Sequence, residues 1–70
     1  MSFTGVMAKW DHQRSYGFIR PSQTGHDDIF VHRRELRMPA SDFRPGMKIR
    51  FDIGLDAEGK VEAKNVEAMR

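Results

Sequence analysis

Cysteine is absent from these 70 residues, which removes a disulfide framework and the usual thiolate-based structural zinc sites. No apolar run approaches the roughly 20 residues of a membrane-crossing helix. The opening Met1-Ser2-Phe3-Thr4-Gly5 lacks the basic start and apolar stretch of a secretory leader, so a soluble cytoplasmic protein is expected. Charge of one sign is also scarce: 12 Lys and Arg against 10 Asp and Glu give a net +2, too little to name a partner. Catalytic signatures are missing. No Ser, Cys or Lys stands in a nucleophile motif, and no glycine-rich phosphate loop precedes a helix. Asp27 and Asp28 are adjacent and would leave opposite faces of a strand, a poor geometry for acid–base work. His12, His26 and His32 lack metal-ligand spacing. Neither an enzyme nor a metal-, cofactor-, membrane- or small-molecule-binding protein is expected.

What is present is unevenly placed. The length suits one domain, expected to span 1–70, that buries about 60% of its unfolded surface. Between positions 9 and 37, six cations (Lys9, Arg14, Arg20, Arg33, Arg34, Arg37) meet four acids (Asp11, Asp27, Asp28, Glu35). From Met38 onward the signs balance at six each, so the excess positive charge lies in one half of the chain.

Short alternating segments separated by turn signals predict an all-β chain of five strands. The first covers 3–10, the second 15–20 after the polar turn Asp11-His12-Gln13, and the third 28–32 after a loop over 21–25. Arg33-Arg34-Glu35-Leu36 suits one helical turn, and the proline-bearing stretch 38–46 stays irregular. Met47, Ile49, Phe51 and Ile53 alternate with Lys48, Arg50 and Asp52 in a fourth strand, and Asp56-Ala57-Glu58-Gly59 turns the chain into a fifth. There Val61 and Ala63 keep one phase and Val66 and Ala68 the other, so a β-bulge is expected near Lys64-Asn65. Strands this short, with a curling device, fit a closed or nearly closed barrel. Val6, Ile19, Ile29, Val31, Ile49, Phe51, Val61 and Val66 would fill it, with Leu36 and Phe43 covering an end.

Two segments carry the functional signal: Arg14-Ser15-Tyr16-Gly17-Phe18-Ile19 and Ile29-Phe30-Val31-His32. At a two-residue period Tyr16 and Phe18 leave one face of their strand, and Phe30 and His32 leave one face of theirs. The rings could fill the core instead, but the aliphatic Ile19, Ile29 and Val31 on the opposite faces suit a dry interior better than His32 would, which favours the rings outside. If the strands pair, three rings and an imidazole form one surface beside the cationic Arg14. Such a surface fits unstacked bases, since every base offers a π-face and a neighbouring phosphate.

These residues resemble the cold-shock domain family, whose pattern runs approximately Gly-x-Val-Lys-Trp-Phe-Asn-x-x-Lys-Gly-Phe-Gly-Phe-Ile, a loop, then Asp-Val-Phe-Val-His-Phe. The matching stretches are 5–19 and Asp28-Ile29-Phe30-Val31-His32, with Gly46-x-x-Ile49-x-Phe51 and Ala63-x-Asn65-Val66 on the later strands. The resemblance implies a five-stranded antiparallel Greek-key barrel of the OB type that binds single-stranded RNA or DNA, often as an RNA chaperone. By position it implies Arg14, Tyr16, Phe18, Asp28, Phe30 and His32 as binding residues. Trp10 joins them as a residue that either stacks on a base or seals the barrel end.

The departures are informative. Lys9 stands at the family's Trp, Trp10 at its Phe, Ala8 at its Lys and Asp11 at its Asn. Ser15 replaces a glycine, so any strained backbone angle there would cost energy. Arg33 replaces the Phe after the histidine, and Phe43 matches a core leucine by its spacing to Gly46. On charge and position, Lys9 would add a phosphate contact, and Arg33 would stack on bases or meet phosphate. The expected protein is a monomer binding single strands through a reduced stacking core with a cationic border, more weakly and with more salt dependence than a typical member. The alternative is a protein-interaction module for transcription regulation, suggested by the lost platforms and the Arg33-Arg34-x-x-Arg37 run.

Overall fold

The computed structural model describes residues 2–23, 25 and 27–69. Met1, Arg70, Thr24 of the expected 21–25 loop, and His26 lie outside the described residues. Five strands form one antiparallel sheet: β1 (Phe3–Asp11), β2 (Tyr16–Pro21), β3 (Ile29–His32), β4 (Lys48–Leu55) and β5 (Val61–Ala68), in the order β3-β2-β1-β4-β5. Two short 3₁₀ turns, η1 (Arg33–Glu35) and η2 (Ala40–Asp42), occupy the connection between β3 and β4. The sheet is an OB-type barrel in which β3 packs on β5. That seam has no ladder of hydrogen bonds among the described residues. It is closed by a parallel bridge between Leu36 and Val66 and by the Arg37 N–H donating to the Val66 carbonyl at 2.7 Å.

Two bulges set which residues face inward. On β5, Arg50 pairs with Glu67 and Asp52 with Lys64, so Phe51 faces both Asn65 and Val66. Asn65 takes φ 51°, a left-handed angle that asparagine tolerates better than most residues, and this is the bulge expected near Lys64-Asn65. On β1 the register slips between Met7 and Lys9. The slip corrects the expected core. Gly5 and Met7 face in before it and Trp10 after it, so Val6 is only half-buried on the outer face while Met7 is fully buried.

Val61 is a second correction to the expected core: it keeps the phase of Ala63 but is 54% exposed, where the β4–β5 hairpin projects past the barrel. Ala63 is buried instead. The core consists of Met7, Trp10, Ile19, Val31, Phe43, Ile49, Phe51, Ala63 and Val66, with Ile29 and Leu36 half-buried against it.

Candidate nucleic-acid interface

The pairing register turns the outer face of β1–β3 into a grid. One rung carries Asp11, Tyr16 and His32, and the next carries Lys9, Phe18 and Phe30. Directly opposed residues of an antiparallel pair point to the same side, so all six leave the barrel together. Beyond them Arg20 sits 3.6 Å from Asp28, an exposed ion pair that closes the grid at that edge.

The rings brace one another. The Tyr16 and Phe30 centroids lie 5.6 Å apart at 37°, Phe18 and Phe30 5.9 Å apart at 74°, and Tyr16 and Phe18 6.2 Å apart at 83°. Tilted and edge-on contacts of this kind are worth about 0.5–1.5 kcal/mol each, so the half-exposed rings are held in place before any ligand arrives. The opposite face explains why they stay out. Ile19 and Val31 are fully buried, and Gly17 lies beneath Trp10. A Cβ on Gly17 would come within 2.7 Å of Trp10 Cε3 and closer still to the Lys9 carbonyl oxygen, so only glycine fits there.

His32 is oriented by the 3₁₀ turn that begins at the next residue. Its Nδ1 accepts from the Arg34 N–H at 3.1 Å, capping η1. An accepting Nδ1 carries no proton, so the neutral ring keeps its N–H at Nε2, away from η1. Arg14 lies beside the Tyr16 hydroxyl, which raises its pKa above the ordinary arginine value, with a further contribution from Asp11. Asp11 shapes that corner, its carboxylate accepting from the Gln13 and Arg14 N–H groups. Ser15 sits at φ 61°, a left-handed angle, so the strain that a glycine would have avoided is present there. Its carbonyl accepts from the Arg33 N–H at 2.9 Å, which places Arg33 next to the Tyr16–His32 rung. Lys9, Arg14 and Arg33 are exposed and form no ion pair among the described residues.

Of the sequence-derived residues, the structure brings Tyr16, Phe18, Phe30, His32, Arg14, Lys9 and Arg33 to one surface, with Asp28 at its edge. Trp10 is the correction. It is 9% exposed, packs on Phe43 at 6.3 Å and belongs to the core, so it seals the barrel end instead of extending the platform. Its Nε1 finds no hydrogen-bond partner among the described residues.

The sequence reading missed a second cluster on the far side of η1. Glu62 is fully buried; its carboxylate accepts from Arg34 Nη2 at 3.1 and 3.2 Å and from Lys64 Nζ at 2.7 Å. Lys64 also reaches Glu35 at 3.5 Å. The Lys64 bond foremost, and Arg34 with it, holds the Glu62 pKa below the usual glutamate value against the opposing effect of burial. Arg37 is tied down too, donating to Asn65 Oδ1 at 3.2 Å. Two of the three arginines in the Arg33-Arg34-x-x-Arg37 run therefore serve the barrel seam. Among the described residues no cluster of His, Cys, Asp and Glu is placed to hold a metal, and no helix is long and apolar enough to cross a membrane.

The model of the "cold-shock" DNA-binding domain matches residues 3–69. A cold shock-like protein of Aquifex aeolicus is 34% identical over 70 residues, covering 99% of this chain and 97% of that protein. A probable cold shock protein of Sinorhizobium fredii is 31% identical over 70 residues, covering 97% and 100% respectively. Among solved structures, Drosophila Unr CSD456 superposes with a TM-score of 0.81 at 16% identity, over all of this chain and 27% of that one, a likeness of fold. The chain belongs to the cold-shock domain family, whose members are generally nucleic-acid-binding proteins.

Proposed function

We propose that the outer face of β1–β3 binds single-stranded RNA or DNA by base stacking, and that the protein acts as an RNA chaperone, as a cytoplasmic monomer. The observation that carries this reading is the cluster of three mutually braced, half-exposed rings bordered by exposed cations that form no ion pair among the described residues. Bases stack on Tyr16, Phe18, Phe30 and the His32 ring, each stack worth about 1–3 kcal/mol. The His32 Nε2–H and the Asp28 carboxylate offer one donor and one acceptor to base edges. Lys9, Arg14 and Arg33 neutralise phosphates. A duplex hides its base faces, so binding favours open strands and melts secondary structure by mass action. No step calls for a cofactor. The run that suggested a protein partner loses force, because Arg34 and Arg37 are engaged within the barrel.

The test is a titration of a labelled single-stranded heptamer, followed by anisotropy at low and moderate salt with a duplex of the same sequence as control. Saturable binding of the single strand, lost in the Tyr16→Ala/Phe30→Ala variant, is the expected result. Absence of binding at low salt would sink the proposal and favour a protein partner on this face.

A further inference from the structure

Charge is distributed unequally around the rings. Near the Tyr16–His32 rung and on β1, three cations (Lys9, Arg14, Arg33) meet one carboxylate, Asp11. The other end is built differently. Phe18 and Phe30 line an open hollow of about 410 Å³ together with Ile29, Ile53 and Val61 and with Asp27 and Asp28. A neighbouring hollow shares Phe30 and Val61 and is bounded by Asp56, Glu58 and Lys60. Four carboxylates thus surround the outer edge of Phe30 against two cations. Arg20 is committed to Asp28, and Lys60 lies 3.9 Å from Glu58. Ile53 and Val61, 42% and 54% exposed, give the hollow open apolar surface beside these carboxylates.

Apolar surface next to a stacking ring suits a flat base, whereas the neighbouring carboxylates repel the phosphate that would follow it. At about 6 Å in water, each carboxylate–phosphate pair weakens binding by about threefold. Resting on the stacking reading above, we infer that this hollow is the terminal subsite of the platform. It takes the last base of the bound segment and stops the backbone there. Tyr16, His32, Phe18 and Phe30 then offer one place per base, and the footprint is about four nucleotides, at the short end for a barrel of this type.

The experiment is a length series of labelled oligouridylates, from two to eight nucleotides, at low salt. Affinity should climb steeply to about four nucleotides and then gain only the small statistical factor of extra registers. The Asp27→Asn/Glu58→Gln variant alters two exposed carboxylates whose side chains make no hydrogen bond among the described residues, so its unfolding midpoint should match the parent. In it the octamer should gain about three- to tenfold and the tetramer less than twofold. Equal gains per nucleotide up to eight in the parent, or an equal gain by tetramer and octamer in the variant, would overturn the inference while leaving base stacking intact. Silence at every length would remove the stacking reading itself, and the terminal subsite with it.

Discussion

The ring-bearing face of β1–β3 and the seam where η1 meets β5 draw on the same two residue types, arginine and lysine, and use them in opposite ways. At the seam, Arg34 and Lys64 converge on the buried Glu62, and Arg37 is held by Asn65 and the Val66 carbonyl. Around the rings, Lys9, Arg14 and Arg33 stay exposed and unpaired among the described residues. Cations whose partners are already supplied hold the barrel together where its ladder is missing. Cations without partners remain available to a ligand, at little cost while water solvates them. Recognition and stability should therefore separate by residue.

The largest expected effect breaks the ring face. Phe30→Ala removes the ring touching both Tyr16 and Phe18 and should weaken single-strand binding by about 1–3 kcal/mol in a titration. Urea unfolding should move as well, because the variant also loses the ring contacts with Tyr16 and Phe18 at about 0.5–1.5 kcal/mol each, so affinity is compared on protein shown to be folded. Glu62→Gln attacks the seam and should cost roughly 1–2 kcal/mol of stability, because a carboxylate receiving charged hydrogen bonds becomes an amide that meets two cations. Its pH dependence follows from the sign of the shift. The folded Glu62 pKa lies below the unfolded one, so its contribution is complete above about pH 4.3 and fades as the pH falls through the folded value. Acid titration of Glu62→Gln should then show a smaller loss of stability, with the residual slope including Asp56, whose pKa is lowered first by the Lys60 N–H.

Smaller effects sharpen the same contrast. Ser15→Gly relieves a left-handed backbone angle and should raise stability by about 0.5 kcal/mol, the relief exceeding the added freedom of the unfolded chain. Trp10→Phe gives up apolar area but also removes a buried N–H that has no partner among the described residues, so the unfolding free energy should change by less than about 1 kcal/mol.

The site was easier to read than the frame around it. Tyr16, Phe18, Phe30 and His32 lie in an uninterrupted ladder between β2 and β3, where a period of two assigns faces without knowledge of the partner strand. Val6 and Met7 lie just before a bulge, and one slipped residue exchanges every face upstream of it. Val61 obeys the alternation, but the barrel ends before its position, which no local pattern records. Glu62 was illegible for a different reason. Beside Val61 and Lys64 it reads as a wet residue, and its burial depends on Arg34, 28 positions away. The arginine run likewise looked uniform until contacts divided it.

Arg33 and Arg34 are adjacent in sequence and assigned to opposite tasks, so comparing their alanine variants tests the account most directly. Single-strand affinity would be measured over a range of salt, with the unfolding midpoint of each protein. Arg33→Ala should lower affinity and reduce the logarithmic salt slope by about 0.7, leaving the midpoint in place. Arg34→Ala should lower the midpoint while the folded protein keeps its affinity and slope. A loss of affinity and slope in Arg34→Ala equal to that in Arg33→Ala, with both proteins folded, would contradict the division between cations that hold the barrel and cations that meet the strand.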